Sequence, residues 1–152
     1  MLARDIMTPD VVVVPPEMPV EEVGALLVDN RIHGAPVVDE IGRLVGMVSL
    51  VDLVGRTGET AQDVMTPDPV CAGEETPVEE IASMMLEQAI RRVPIVRAGR
   101  VVGIISASDI IGLFLNLHER DLASRPSARE NPGRGSQTRG TRRARQTRRK
   151  RR

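Results

Sequence analysis

Apolar residues recur along the chain at the spacings of helices and strands. One helical face is predicted over positions 20, 23 and 27, and another over positions 78, 81, 85 and 89. Short β-branched runs, Val12 to Val14 and Val70 to Ala72, precede these helices and predict strands. Thr76-Pro77-Val78-Glu79 further predicts a capping box at the second helix, whereas Met18 is a weaker cap for the first.

Each predicted helix is followed by two apolar strands and a tight turn. The strands are predicted at 35–39 and 43–48, and again at 93–97 and 100–105. A second helix begins at Ser49, where it is short, and at Ser106, where it extends to about Ala123. Each half is therefore β-α-β-β-α, and a unit of about 60 residues needs its twin to complete a core.

The two halves are copies of one unit. Asp5-Ile6-Met7-Thr8-Pro9-Asp10 returns as Asp63-Val64-Met65-Thr66-Pro67-Asp68, an offset of 58 that gives 14 identities over residues 5–39. After a one-residue deletion the offset is 57, and residues 42–55 match at 7 of 14 positions. Such regular self-similarity indicates an internal duplication.

The formal net charge of zero is a sum of two opposite regions. Residues 1–124 carry 20 acidic and 9 basic side chains, whereas residues 125–152 carry 1 acidic and 12 basic. The second region has only two apolar residues, both alanine, and cannot bury enough surface to offset its ordering entropy. We therefore expect three parts: a first repeat at 1–60, a second at 61–124, and a disordered arginine-rich tail at 125–152.

Composition excludes several classes of protein. The 152 residues suit one domain or two small units and are too few for a catalytic domain plus a regulatory one. The single cysteine, Cys71, excludes a disulfide framework and is predicted to be a small buried residue, and the two histidines make no zinc pattern. Because no signal peptide or membrane span is evident, we expect a soluble, cytoplasmic protein without membrane insertion.

Two matching stretches carry the candidate chemistry. Gly46-Met47-Val48-Ser49-Leu50-Val51-Asp52 and Gly103-Ile104-Ile105-Ser106-Ala107-Ser108-Asp109 each place serine at a helix start and aspartate three residues later. One interpretation is a capping box. The other is a nucleotide site, in which the helix start and serine hydroxyl meet phosphate, aspartate accepts bonds from a ribose diol, and glycine lets the ligand approach the backbone.

These motifs together resemble a tandem pair of cystathionine-β-synthase (CBS) domains, also called a Bateman module. The resemblance rests on the duplicated Asp-x-Met-Thr-Pro-Asp opening, the proline-containing middle strand and the Gly-x-x-Ser-x-x-Asp ending, and it covers about residues 3–122. It implies an α/β fold of two repeats packed by their sheets about a pseudo-twofold axis. It also implies a regulatory module with two clefts for adenosine-containing ligands: AMP, ADP, ATP or S-adenosylmethionine.

The resemblance assigns residues to each cleft. One cleft would use Ser106, Asp109 and Arg92 with Thr8, Val12, His33 and Gly34; the other would use Ser49 and Asp52 with Thr66, Val70, Arg91 and, as a further candidate, Arg92. His33 is equally compatible with an ordinary turn. The cleft around Asp109 is predicted to bind phosphate more tightly, because Arg92 lies beside its own serine where the first copy has Gly34.

Composition constrains how adenine would be held. The chain has no tryptophan or tyrosine, and its one phenylalanine, Phe114, is predicted on a helix face. Aromatic stacking on the base is therefore not expected, and aliphatic side chains and backbone groups would have to hold it.

Two functional hypotheses remain open at this point. The first is a stand-alone, non-enzymatic nucleotide sensor with no required cofactor, which passes a signal to a homodimer mate or to a regulated enzyme or transporter. The second is a nucleic-acid-associated protein, in which the basic tail binds phosphate nonspecifically and the repeats serve as a dimerising scaffold. For the tail itself the preferred interpretation is a solvated, disordered end lying loosely on the acidic body, because runs of charge are common without a binding function. The sequence offers no nucleophile–base pair or metal-ligand cluster that favours an enzyme.

Overall fold

The computed structural model describes residues 1–124, so the predicted disorder of 125–152 lies outside the described residues. The helices are α1 (Ala3–Ile6), α2 (Val20–Asp29), α3 (Leu50–Gly55), α4 (Ala61–Val64), α5 (Val78–Gln88) and α6 (Ala107–Ser124). The strands are β1 (Gly34–Val38), β2 (Leu44–Ser49), β3 (Thr66–Pro67), β4 (Ala72–Gly73), β5 (Arg92–Arg97) and β6 (Arg100–Ser106).

The strands form two three-stranded sheets, ordered β1-β2-β3 and β4-β5-β6. The β1–β2 and β5–β6 pairs are antiparallel, as the two predicted tight turns require. Their register places Ser49 opposite Gly34 and Ser106 opposite Arg92. The end of each hairpin therefore carries the predicted serine beside the residue that differs between the copies.

The predicted opening strands are much shorter than expected. In the first repeat only Val14 pairs, through a parallel bridge to Val37, because Pro15 and Pro16 follow it and lack the N–H donors that a strand needs. In the second repeat the strand is β4 alone. Cys71 lies just before β4 and is exposed, which corrects its predicted burial, since alternation turns Ala72 toward the core.

The predicted capping box before α5 is absent. The Thr76 hydroxyl instead accepts a hydrogen bond from the Gly73 amide at 3.1 Å, which closes the turn that precedes the helix. Pro77 occupies the cap position without any side-chain cap, and Pro19 does the same at α2. Both helices therefore begin one residue later than a threonine or methionine cap would place them.

Each repeat completes its core with the opening segment of the other. Ala3 of α1 lies in the core of the second sheet, and Thr8 forms a two-way backbone bridge with Ile104 of β6. Conversely, Ala61 and Val64 of α4 lie in the core of the first sheet, where β3 pairs with β2. This exchange carries the two Thr-Pro-Asp segments across to the opposite repeat.

The repeats also meet at their hairpin turns. The Leu44 amide donates to the Gly99 carbonyl, and the Val101 amide donates to the Gly42 carbonyl, each at 3.1 Å. The two cores are equivalent in position: one contains Val23 and Leu27 of α2, and the other contains Ile81 and Met85 of α5. The predicted α/β architecture of two packed repeats with pseudo-twofold symmetry is thus confirmed.

Candidate functional site

Two cavities open between the repeats, and each is lined by residues from both. The smaller, of about 350 Å³, is here called the Asp109 cleft. The predicted set for it comes together in full: Ser106, Asp109, Arg92, Thr8, Val12, His33 and Gly34 all line this cavity. Thr8 and Val12 reach it because the first opening segment crosses to the second sheet.

The larger cavity, of about 1070 Å³, is the Asp52 cleft. Its predicted residues also meet: Ser49, Asp52, Thr66, Val70, Arg91 and Arg92 line it. His33, which was assigned to the Asp109 cleft alone, lines both cavities. Both volumes are close to the range of about 300–1,000 Å³ that is typical of small-molecule sites.

The serine and aspartate of each motif form the capping interactions expected from sequence. The Ser49 amide donates to Asp52 Oδ2 at 2.9 Å, and the Asp52 amide donates to the Ser49 hydroxyl at 3.3 Å. In the second repeat the equivalent distances are 2.8 Å and 3.2 Å, between Ser106 and Asp109. Capping uses Oδ2 of each carboxylate, so Oδ1 takes no part in the cap.

The second carboxylate oxygen distinguishes the two clefts. Asp52 Oδ1 lies 3.7 Å from Nε of Arg56, and Ser49 also donates its hydroxyl proton to Asp52 Oδ2 at 3.0 Å. Within residues 1–120, Asp109 Oδ1 has neither a hydrogen bond nor an ion pair, and the Ser106 hydroxyl donates to no protein group. The Asp109 cleft therefore presents an acceptor and a donor that the Asp52 cleft has already engaged.

The motif glycines have a different purpose from the one predicted. A Cβ at Gly46 would collide with the side chain of Met65, and a Cβ at Gly103 would collide with that of Met7. These glycines therefore make room for the methionine of the exchanged opening segment, and not for a ligand. The repeated methionine in Asp-x-Met-Thr-Pro-Asp has the same explanation.

Several lining residues were missed by the sequence analysis. Asp10 lines the Asp109 cleft and Asp68 the Asp52 cleft, and both adopt left-handed backbone conformations with φ of 53° and 45°. The repeated Thr-Pro-Asp was a usable signal for them. Arg31 and Ser108 of the Asp109 cleft had no such signal, because the first copy has valine where Ser108 stands and the second has alanine where Arg31 stands.

The arginines are distributed more evenly than predicted. Arg31 and Arg92 line the Asp109 cleft, while Arg91 and Arg92 line the Asp52 cleft. Burial, and then the neighbouring charge of Arg91, lowers the pKa of Arg92 below its ordinary value. Unequal positive charge therefore does not distinguish the clefts; the engagement of Asp52 by Arg56 does.

The cavity walls contain no phenylalanine, tyrosine or tryptophan ring. Phe114 is 68% exposed on α6 and lines neither cleft. Among residues 1–124, no group of three histidine, cysteine or acidic side chains is placed to hold a metal ion. No helix in this part of the chain is long and apolar enough to cross a membrane.

Known proteins resemble this chain in sequence. It is 34% identical over 143 residues to the CBS domain-containing protein CBSX1, chloroplastic, of Arabidopsis thaliana, covering 71% of this chain and 61% of that protein. It is 36% identical over 112 residues to an inosine-5'-monophosphate dehydrogenase of Methanocaldococcus jannaschii, covering 72% of this chain and 23% of the enzyme. The chain thus spans less than two thirds of the length of these curated relatives.

Solved structures share the fold. The CBS domain pair of protein MJ0100, in complex with 5'-methylthioadenosine and S-adenosyl-L-methionine, superposes with a TM-score of 0.74 at 30% identity, covering 77% of this chain and 98% of that one. CBSX2 in complex with AMP superposes with a TM-score of 0.73 at 32% identity and the same coverage. A family model of the CBS domain matches residues 3–58 and 61–116. The chain therefore belongs to the CBS domain family, as a tandem pair of CBS domains.

Proposed function

We propose that this CBS pair is a regulatory module that binds an adenosine-containing nucleotide in its clefts. The observation that carries the proposal is the open oxygen of Asp109, which lies in the same cavity as the unengaged Ser106 hydroxyl and the arginines at 31 and 92. Together these groups offer an acceptor, a donor and a positive charge around a space of about 350 Å³.

Each group suits one part of a nucleotide. The ribose diol has two hydroxyl donors, which match the acceptor oxygen of Asp109. The phosphate is an anion, which matches the guanidinium of Arg92 and the hydroxyl of Ser106. The base would lie among Thr8, Val12 and Ile104, where aliphatic surface and backbone groups replace aromatic stacking.

Two of the solved relatives favour the same ligand class. The MJ0100 pair is in complex with 5'-methylthioadenosine and S-adenosyl-L-methionine, and CBSX2 is in complex with AMP. CBS domains also occur within enzymes such as the dehydrogenase above. We propose that this pair regulates a separate enzyme or transporter and is not itself a catalyst. Its cytoplasmic location stays a prediction, since the CBSX1 relative is described as chloroplastic.

The direct test is a thermal-shift panel of AMP, ADP, ATP and S-adenosylmethionine on the full chain. An extrinsic dye is needed because the chain has no tryptophan or tyrosine. A ligand at about 100 times its Kd adds about 2.7 kcal/mol to the free energy of unfolding, which corresponds to a Tm rise of several degrees. Absence of any shift at millimolar concentrations of all four ligands would contradict the proposal.

We further propose that a second copy of the chain covers an exposed apolar helical surface. Val54 of α3 and Ile111 of α6, which are equivalent in the two repeats, are 90% and 59% exposed. Val51 and Phe114 are also exposed on these two helices. An apolar surface of this kind, presented by both repeats, suits the homodimer that the family resemblance implies.

The dimer is tested by light scattering on the full chain and on a double variant, Val54→Glu with Ile111→Glu. Because both side chains are exposed, the charges are tolerated in the folded monomer but not at an apolar interface. We expect the wild type to have twice the monomer mass and the variant to have the monomer mass. A monomeric wild type at micromolar concentration would contradict the proposal.

The nucleic-acid alternative depends on residues 125–152, which lie outside the described part of the chain. None of the similarities above supports it. It would gain support only from DNA or RNA retention that disappears when the chain is cut after Ser124.

A further inference from the structure

One arginine lies between the two clefts. Arg92 is half-buried and lines both cavities, whereas Arg91 lines only the Asp52 cleft and Arg31 only the Asp109 cleft. The residue equivalent to Arg92 in the first repeat is Gly34, at the offset of 58. A symmetric pair of repeats would have an arginine at both equivalent positions, but this chain has one only in the second repeat.

Glycine at position 34 gives this side chain its space. A Cβ at Gly34 would lie 3.1 Å from Nη1 and 3.4 Å from Cζ of Arg92, so the guanidinium lies directly over the Gly34 backbone. Any larger residue at 34 would compete for that volume. The guanidinium thus crosses from β5 toward β1, which is how a residue of the second repeat comes to face both cavities.

The charge of Arg92 has no counterion within residues 1–120, whose side chains the structure describes. No carboxylate oxygen lies within 4.0 Å of its guanidinium, in contrast to Arg4, Arg43, Arg56 and Arg97, which each form an ion pair. Burial and the positive charge of Arg91 both disfavour its charged form and lower its pKa. An anion in either cavity would relieve this unfavourable arrangement.

We propose that Arg92 is shared between the clefts, so that a phosphate-bearing ligand in one cleft weakens the binding of a phosphate-bearing ligand in the other. The proposal rests on the proposed function and adds a regulatory property to it. A guanidinium that forms a bidentate contact with one phosphate has its planar donors fixed toward that phosphate. The second ligand then loses a charge-assisted contact, and its affinity falls by about tenfold. Uncharged adenosine, which makes no such contact, binds the two clefts independently.

The test is isothermal titration calorimetry with AMP on the full chain and on two single-cleft variants. Val70→Trp fills the Asp52 cleft and reports the Asp109 cleft alone, and Val12→Trp fills the Asp109 cleft and reports the Asp52 cleft alone. For independent clefts, the product of the two wild-type association constants equals the product of the two single-cleft constants. For a shared Arg92, the wild-type product is about tenfold smaller. Circular dichroism checks that each tryptophan variant folds. If one does not, Asp52→Ala or Asp109→Ala replaces it, with a two-site fit because binding to the altered cleft is weakened and not abolished.

Three controls test whether Arg92 causes the weaker binding of the second AMP. The deficit is the factor by which the two-site product falls below the product of the single-cleft constants. Arg92→Gln abolishes this deficit, whereas Arg91→Gln retains it because Arg91 lines one cleft only. Adenosine shows no deficit with the wild type. If the product of the two wild-type AMP association constants equals the product of the two single-cleft constants, the sharing of Arg92 is wrong but the proposed function is unaffected. A deficit that persists in Arg92→Gln or with adenosine would overturn the role of Arg92. Absence of AMP binding to every protein would overturn the proposed function and the sharing with it.

Discussion

The two clefts are built from equivalent residues and yet differ in what they offer a ligand. Both have a serine that caps a helix and an aspartate that completes the cap with one oxygen. In the Asp52 cleft the other oxygen faces Arg56, whereas the second repeat has Leu113 at the equivalent position and leaves Asp109 open. In a duplicated fold, shared residues build the clefts, and the positions where the copies differ decide how each cleft behaves.

Removal of the Asp109 carboxylate, the proposed ribose acceptor, is expected to change AMP binding more than any other substitution considered. Asp109→Ala should weaken AMP binding by about 10- to 100-fold, because it removes a hydrogen-bond acceptor that is charged and open to the cavity. Asp52→Ala should weaken binding less, since that carboxylate is already engaged by Arg56. Calorimetry on both variants checks the order, with circular dichroism as the folding control. A greater loss for Asp52→Ala would reverse the assignment of the two clefts.

The exchanged opening segments should be equally important in both repeats. Gly46→Ala and Gly103→Ala each place a methyl group against a methionine side chain, and overpacking of this kind costs about 1–3 kcal/mol of unfolding free energy. Gly112→Ala is the matched control, because nothing lies within 4 Å of its added Cβ and alanine favours the helix. Urea denaturation measures all three. Loss of stability in the control alone would contradict this account of the motif glycines.

Replacing Arg56 by the leucine found at the equivalent position of the second repeat should make the AMP affinities of the two clefts more similar. Arg56→Leu reproduces the Leu113 environment and removes the cation 3.7 Å from Asp52 Oδ1. A pair with one partly exposed partner and a separation of 3.7 Å contributes about 1 kcal/mol, so AMP affinity of the Asp52 cleft should rise by up to about fivefold. The measurement is calorimetry in the Asp109→Ala background. An unchanged affinity would mean that Arg56 does not limit the ribose acceptor.

A smaller difference concerns acid sensitivity outside the clefts. The hydrogen-bonded ion pair with Arg97 holds the pKa of Glu74 below its usual value of 4.5, so its contribution to stability is complete above that pH and disappears as pH falls through the lowered pKa. Glu74→Gln should therefore be slightly less stable than wild type at pH 7, and the difference should be smaller at pH 3. Denaturation midpoints at both pH values check this. A difference that grows on acidification would contradict it.

Much of this architecture could be predicted from sequence, because each motif occurs in both repeats and can be recognised by the comparison. The hairpins, the serine starts of α3 and α6 and the two sets of cleft residues follow from the repeat and the family resemblance, and the structure brings each set together. The unequal engagement of the two aspartates was not predicted, because Arg56 lies one helical turn beyond Asp52 and its ion pair depends on a side-chain conformation.

Other features depended on tertiary contacts that the pattern does not encode. The exchange of opening segments places Met7 against Gly103 of the other repeat, although nearly a hundred residues separate them in sequence. The exposure of Cys71 follows from the burial of its neighbour Ala72, since adjacent side chains in an extended segment point to opposite faces. Arg92 was assigned to one cleft and named as a further candidate for the other, but the space above Gly34 that lets it reach both was not predicted.

The most direct test of nucleotide binding is a crystal structure of the full chain with AMP. We expect AMP in the Asp109 cleft, with a ribose hydroxyl about 3 Å from Asp109 Oδ1 and the phosphate on the Arg92 guanidinium. Density for AMP in neither cleft, or a ribose placed away from both Asp109 and Asp52, would contradict the account.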